Sequence, residues 1–205
     1  MTTQYQMKKL ENGNIRTCEV RLSFPELFHA KSMEEGKAKK YSAALLFPKG
    51  ADLTVLKDEI KRIVKEEFGG NAKGLRIGLR DQGEKDFEGY EDGAFFLNCS
   101  SERRPPLVDR KRDAIIDEEE VYPGIWAIVT LKVYAFKPKK GQDKFAPGIG
   151  FGLQAVQIVK DGDRLGGGTA NPNDEFEELG ELAEGDSADS IFNDGDDNDA
   201  DIFGS

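Results

Sequence analysis

Lysine and arginine recur along the first four-fifths of the chain in short clusters. These are Lys37, Lys39 and Lys40; Arg76, Arg80 and Lys85; Arg103 and Arg104; Arg110, Lys111 and Arg112; and Lys137, Lys139, Lys140 and Lys144. Aromatic residues interleave with them: Tyr41, Phe87, Tyr90, Trp126, Tyr134, Phe136 and Phe145. Cations track a phosphate backbone, and flat rings stack on unpaired bases at roughly 1–3 kcal/mol each. Either ingredient alone is common, since basic loop residues are often merely solvated and rings often fill cores. Together they outline a surface suited to single-stranded nucleic acid. Its candidate residues are Lys39, Lys40, Tyr41, Arg76, Arg80, Lys85, Arg103, Arg104, Trp126, Lys132, Tyr134 and Phe136.

Other chemistries lack their parts. One histidine, His29, and no Cys-x-x-Cys exclude the common zinc sites. His29 has no evident Ser or Cys partner motif, so no triad is predicted. Gly148, Gly150 and Gly152 do not form a dinucleotide fingerprint, because an apolar β-pattern surrounds them and no helix follows; they predict a bend or bulge in a strand. Gly166 to Gly168 lack the Lys-Ser/Thr of a phosphate loop. Asp81, Glu84, Asp86 and Glu88 read as a solvated loop rather than a Mg²⁺ site. Asp194, Asp196 and Asn198 mimic the start of a calcium loop, but Asp199 stands where Gly is needed. The reading is a binding protein, not an enzyme, with no metal or cofactor.

The elements that must carry the cations and rings read mainly as strands. Residues 15–24 alternate, with Cys18, Val20, Leu22 and Phe24 on one side. Residues 39–47, 94–100, 125–136 and 149–159 are four more strands. In the fourth, Ile125, Ala127, Val129, Leu131, Val133 and Ala135 share one parity. Trp126, Ile128, Lys132, Tyr134 and Phe136 hold the other. Residues 52–68 have helical spacing through Leu53, Leu56, Ile60, Ile63 and Val64, with Asp52 as N-cap and Gly69-Gly70 as stop. Five strands and one helix predict a small β-barrel with an inserted helix, although composition does not separate a barrel from a sandwich. Cys18 and Cys99 fall in strand patterns and predict buried thiols in a reducing compartment. There is no apolar run long enough to span a membrane, and the start lacks the apolar region of a secretory signal.

The net charge of −10 conceals a partition. All 29 Lys and Arg lie in residues 1–170 with 26 Asp and Glu, leaving +3; residues 171–205 hold 13 acidic residues and no basic one. The Gly166–Gly168 run and Asn171-Pro172 mark a flexible linker. The expected division is a body over 1–165 and a linker with a disordered acidic tail over 166–205. Phe176, Leu179 and Leu182 have the spacing of a short nascent helix. Two Ile-Phe pairs, 191–192 and 202–203, stand in acidic surroundings. A coil of 35 residues spans about 30–35 Å. A body of this size is about 40 Å across, so the tail can reach its surface.

Several stretches resemble a bacteriophage family of single-stranded DNA-binding proteins. They are FPELFHAKSMEEGKAKKYSAALLFPKG (24–50), LRDQGEKDFEGYEDGAFFLNCSSERRPPLVD (79–109), VYPGIWAIVTLKVYAF (121–136) and GIGFGLQAVQIVKDGDRLGG (148–167). The resemblance covers roughly residues 15–176. It implies an OB-fold, a five-stranded barrel with one inserted helix and a disordered acidic tail. It also implies binding of single-stranded DNA in phage replication, recombination and repair, in the host cell cytoplasm. Lys40-Tyr41, Arg80, Lys85 and Arg104 fall on family motif positions; Glu102 departs from the basic residue expected before the Arg pair.

In plan the chain is similar to single-strand binders that end in an acidic tail with a terminal aromatic. Here Phe203 is followed by Gly204-Ser205. Asp199, Asp201, Ile202 and Phe203 are then the candidate residues for partners such as DNA polymerase, helicase-primase or exonuclease. Homodimer formation stays open. Two other readings fit the same residues: an RNA-binding or strand-annealing chaperone, and an acidic-tailed adaptor that touches no nucleic acid.

Overall fold

The computed structural model describes residues 6–32, 38–138 and 146–166. Residues Met1–Gly167 form one compact unit and Gly168–Ser205 a second, which lies outside the described residues. The acidic segment, its Ile-Phe pairs, Lys37, Lys139, Lys140, Lys144 and Phe145 are therefore outside them too.

Among the described residues ten strands and one α-helix follow one another. They are β1 (Lys8–Lys9), β2 (Ile15–Arg16), β3 (Val20–Lys31), β4 (Lys40–Leu46), α1 (Thr54–Phe68), β5 (Arg76–Ile77), β6 (Leu79–Asp81), β7 (Phe95–Ser101), β8 (Leu107–Val108), β9 (Trp126–Phe136) and β10 (Gly148–Lys160). The five long strands close on themselves. β3 pairs β4, β4 pairs β7, β7 runs parallel to β10, β10 pairs β9, and β9 returns to β3. Closure leaves no long free edge, and this ring order is that of the OB-fold barrel.

The interior follows from alternation at period 2. Ala127, Val129, Leu131 and Val133 of β9 face Ile149, Phe151 and Leu153 of β10, with Leu22, Leu45, Leu97 and Cys99 from the other walls. Helix α1 adds Leu56, Ile60, Ile63 and Val64 to the same cluster. Their spacing is that of one helical face. Gly69 ends the helix in the left-handed region at φ 61°, and the Gly70 N–H reaches the Val64 carbonyl at 3.1 Å. The N-cap is Leu53 rather than Asp52, because the first helical bond runs from Lys57 N–H to the Leu53 carbonyl. The Asp52 carboxylate instead accepts from Thr54 N–H at 2.9 Å, one residue outside the helix.

The first expected strand is two. Ile15 pairs with Leu131 and Val20 with Ala127, so the near strand carries one extra residue. Thr17 fills the gap: its N–H bonds the Val129 carbonyl at 2.9 Å, and its hydroxyl accepts the Val129 N–H at 3.0 Å. β3 then continues past Pro25 to Lys31. The register steps from Ser23↔Ala44 to Glu26↔Ser42, which leaves an extra residue at Phe24-Pro25. Phe24 takes φ +48°, a strained conformation for a bulky side chain. The bulge turns its ring to solvent instead of leaving it on the inward side with Val20 and Leu22.

The β10 glycines mark no bend. They face outward, and the irregularities of β10 fall at Leu153/Ala155 and Ile158/Lys160 instead. A Cβ on Gly150 would lie 2.7 Å from the Tyr134 ring, and one on Gly148 2.9 Å from the Phe136 ring. Glycine here makes room for the rings of β9 to lie across β10.

Candidate nucleic-acid interface

On the outer face of β4 and β7 the side chains are small. Ser42 and Ala44 stand opposite Ser100 and Asn98. This floor continues one strand further, where Ser100 pairs with Gly152 and Gly152 with Lys132. A groove of about 280 Å³ lies over the floor, walled by Phe24, Arg80, Lys85, Phe87, Tyr90 and Phe96.

The wall is built from two non-contiguous segments. One is the Phe24-Pro25 bulge. The other is the excursion 82–94 between β6 and β7, which has no periodic pattern and is held by polar side chains instead. Gln82 is buried; its amide donates to the Phe47 carbonyl at 2.9 Å and the Phe95 carbonyl at 2.7 Å, and its oxygen accepts from Glu91 N–H at 3.0 Å. The Asp81 carboxylate accepts from Gly83 N–H at 2.8 Å and Gly93 N–H at 3.3 Å, tying both ends of the excursion together. Asp81 thus serves the backbone. Among the described residues no three His, Cys, Asp or Glu side chains converge as metal ligands would.

So held, the excursion completes a chain of rings. Phe24 meets Phe87 with centroids 5.6 Å apart, Phe87 meets Tyr90 at 5.4 Å, and Tyr90 meets Phe96 at 5.4 Å, all edge to face. Phe96 is the buried anchor at 2% exposure, whereas Phe24 is 58% exposed and Phe87 48%. Cations lie over the ring chain: the Arg80 guanidinium 4.7 Å from the Phe96 centroid and the Lys85 ammonium 5.9 Å from that of Phe87. Leu165 packs against Leu46 and Phe96, and Gly166 N–H donates to Glu88 at 3.1 Å. The last described residues therefore lie beside the groove.

The residues expected from sequence, Arg76 apart, fall into three groups. Arg80 and Lys85 line the groove. Lys39, Lys40, Tyr41, Arg103 and Arg104 gather at the end of the β4–β7 face where Tyr41 pairs with Ser101. There Lys40 lies 3.7 Å from Glu102, a weak exposed pair, and Arg104 sits 4.8 Å over the Phe28 ring. The third group lies on β9. Lys132 and Tyr134 are exposed, the latter at 41%, and Phe136 lies against Gly148. Trp126 is packed between Arg21, 6.0 Å from its centroid, and Lys160, 4.8 Å away, with Gly162 beneath. Arg76 is exposed on the short strand β5. Phe24, Phe96, Asn98 and Ser100 complete the groove but were not among the expected site residues. The Phe-Pro step of residues 24–25 was the available signal, since proline cannot extend a ladder and marks a bulge.

The chain is similar to known phage proteins. The family model described as "Enterobacter phage Enc34, ssDNA-binding protein" matches residues 13–190. "Putative protein p50" of Acyrthosiphon pisum secondary endosymbiont phage 1 is 30% identical over 178 residues, covering 80% of this chain and 93% of that protein. The solved structure of the single-stranded DNA-binding protein from bacteriophage Enc34 in complex with ssDNA is similar with TM-score 0.66 at 23% identity. It covers 78% of this chain and 93% of that one. The crystal structure of gp2.5, a single-stranded DNA-binding protein encoded by bacteriophage T7, has TM-score 0.54 at 17% identity. It covers 86% of this chain and 99% of that one. The two structures share the fold; the family match is what assigns the chain, which belongs to the phage Enc34 family of ssDNA-binding proteins.

Proposed function

We propose that this protein is a phage single-stranded DNA-binding protein whose β4–β7 groove takes bases on Phe24, Phe87 and Tyr90. Phosphates run along Arg80, Lys85 and the cations around Lys40 and Arg104. The observation that carries this is the half-exposed ring chain under cations on the OB-fold face formed by the second and third barrel strands, the face such barrels use for oligonucleotides. Contacts of this kind follow phosphate and ring rather than base identity, so the protein coats single strands with little sequence preference. Such coating serves replication, recombination and repair of phage DNA in the host cytoplasm. Among the described residues no helix is long and apolar enough to cross a membrane.

The acidic segment 171–205 adds regulation to this reading. It carries 13 acidic residues and no cation, so it imitates the charge of a nucleic acid. The preceding residues Leu165 and Gly166 lie at the groove edge. DNA and the acidic segment then compete for the same cations, and DNA releases Asp199, Asp201, Ile202 and Phe203 to a polymerase, helicase-primase or exonuclease. Fluorescence anisotropy of a labelled oligo-dT across a salt series tests both parts. Affinity should fall with salt with a logarithmic slope of about −0.7 per phosphate contact. Removing residues 171–205 should tighten binding at low salt. Failure of the full chain and the shortened chain to bind in dilute buffer overturns the DNA reading; equal affinity of the two overturns only the competition.

A further inference from the structure

The groove holds a polar group that stacking and phosphate contacts do not use. Along β7 the outward side chains are Phe96, Asn98 and Ser100. Phe96 is covered by Tyr90 and Arg80, but the ring chain ends there and the next outward position is Asn98, which is exposed. Its cross-strand neighbour is Ala44, which stops at Cβ and leaves the carboxamide clear. Asn98 has no side-chain hydrogen bond to any described residue, nor do Ser100, the next outward residue of β7, and Ser42 opposite it. An amide in a ring-walled groove with both its donor and its acceptor free faces the edge of whatever stacks on the rings.

We infer that Asn98 reads the hydrogen-bonding edge of a base seated in the groove and makes the groove tolerant of all four bases. This deepens the proposed function and rests on it. A carboxamide carries a donor and an acceptor side by side and can turn over. Every base offers a donor next to an acceptor on its pairing edge, so one orientation or the other suits each. Thymine presents its ring N–H between two carbonyls; cytosine presents its amino group beside an unprotonated ring nitrogen. Asn98 therefore adds a hydrogen bond without adding a preference.

This makes Asn98 the point at which base preference can be created. Replacing the amide by a carboxylate removes the donor. A carboxylate accepts from the cytosine amino group, whose outer hydrogen stands clear of any acceptor, as acidic side chains do in base recognition; it reaches the thymine ring N–H only between two carbonyls that repel it. The side chain is exposed and isosteric, so Asn98→Asp leaves the fold in place. The experiment measures affinity of the full chain for oligo-dC and oligo-dT of equal length at one salt concentration. The proteins are wild type, Asn98→Asp and Asn98→Ala. Wild type binds both oligomers within a few-fold of each other. Asn98→Asp weakens both through its charge but shifts the ratio toward oligo-dC by about tenfold. Asn98→Ala weakens both several-fold, with the ratio and the salt slope kept. An unshifted ratio in Asn98→Asp, or full affinity in Asn98→Ala, overturns the inference while the groove reading stands. If wild type binds neither oligomer, the groove reading falls instead.

Discussion

Two faces of the barrel present much the same residue types. The β4–β7 face offers Phe24, Phe87, Tyr90 and Phe96 with Arg80 and Lys85; the β9–β10 face offers Trp126, Tyr134 and Phe136 with Arg21, Lys132 and Lys160. They differ in what the rings touch. On the first face the rings meet edge to face, so each turns an edge or a flat side away from its neighbour, and two are about half exposed. On the second, Tyr134 and Phe136 lie across glycine backbone, and Trp126 has cations of its own protein over it. A ring lying across backbone or packed between two internal cations has less face to give a ligand; of the two exposed rings of the first face, Phe87 has one cation near it, Lys85 at 5.9 Å, and remains about half exposed. On the proposed reading, what separates a binding face from a packing face is ring-face availability, not composition.

The comparison is broken most directly by removing rings from each face. Phe24→Ala with Phe87→Ala should weaken oligo-dT binding about a hundredfold, at roughly 1–3 kcal/mol for each lost stack, with little loss of stability. Anisotropy titration and thermal melting read the two quantities side by side. Trp126→Ala should do the opposite, lowering Tm by several degrees while the folded protein keeps its affinity within about twofold. An exchange of those two outcomes would mean that the faces have been assigned the wrong way round.

The strained bulge sharpens the picture further. Phe24→Ala and Phe24→Gly lose the same ring, but only glycine is at ease at φ +48°. Phe24→Gly should melt above Phe24→Ala by about 2–4 °C, for a difference of about 1 kcal/mol, at equally reduced DNA affinity. Equal melting temperatures would show that the bulge holds no strain. On the other face, Gly150→Ala places a Cβ against the Tyr134 ring and should cost about 1 kcal/mol, ~2–4 °C in Tm, with DNA affinity unchanged. A large loss of affinity there would bring Tyr134 into the DNA path.

A control lies outside both faces. Glu59 is buried on α1, where hydrogen bonds from Arg62 at 2.7 Å and Lys9 at 2.7 Å hold its carboxyl below the usual range. Its stabilisation is complete above the unfolded carboxyl pKa of about 4.3 and is lost as pH falls through the lowered folded value. Glu59→Gln should therefore melt below wild type at pH 7, and the gap should close in acid below pH ~4. Melting curves across that window check it, and a constant gap would mean that the pair with Arg62 and Lys9 contributes nothing.

Much of the barrel was legible because alternation is local. The inward set Ala127, Val129, Leu131 and Val133 and the helix face Leu56, Ile60, Ile63 and Val64 could be read from spacing alone. The closures were not legible, since β3 pairs β9 across 107 residues (Val20 with Ala127) and β7 pairs β10 across 52 (Ser100 with Gly152), and such distant pairings leave no local mark. Of the candidate groove, half was legible. Arg80 and Lys85 stood out as cations, and Phe87 and Tyr90 as rings among them. Gln82 and Asp81, which hold the excursion, looked like ordinary loop residues, because their work is done by hydrogen bonds to backbone groups brought near by folding. Phe24 was placed with the inward residues of its strand because period 2 continues through it; only the Phe-Pro bulge reverses it.

The central claim is that DNA lies on the β4–β7 face. Photo-crosslinking with an oligonucleotide carrying 5-iodouracil, followed by mapping of the linked peptide, tests it at residue level. Linkage to Phe24, Phe87 or Tyr90 is the predicted result. Linkage confined to Trp126, Tyr134 or Phe136 would contradict it.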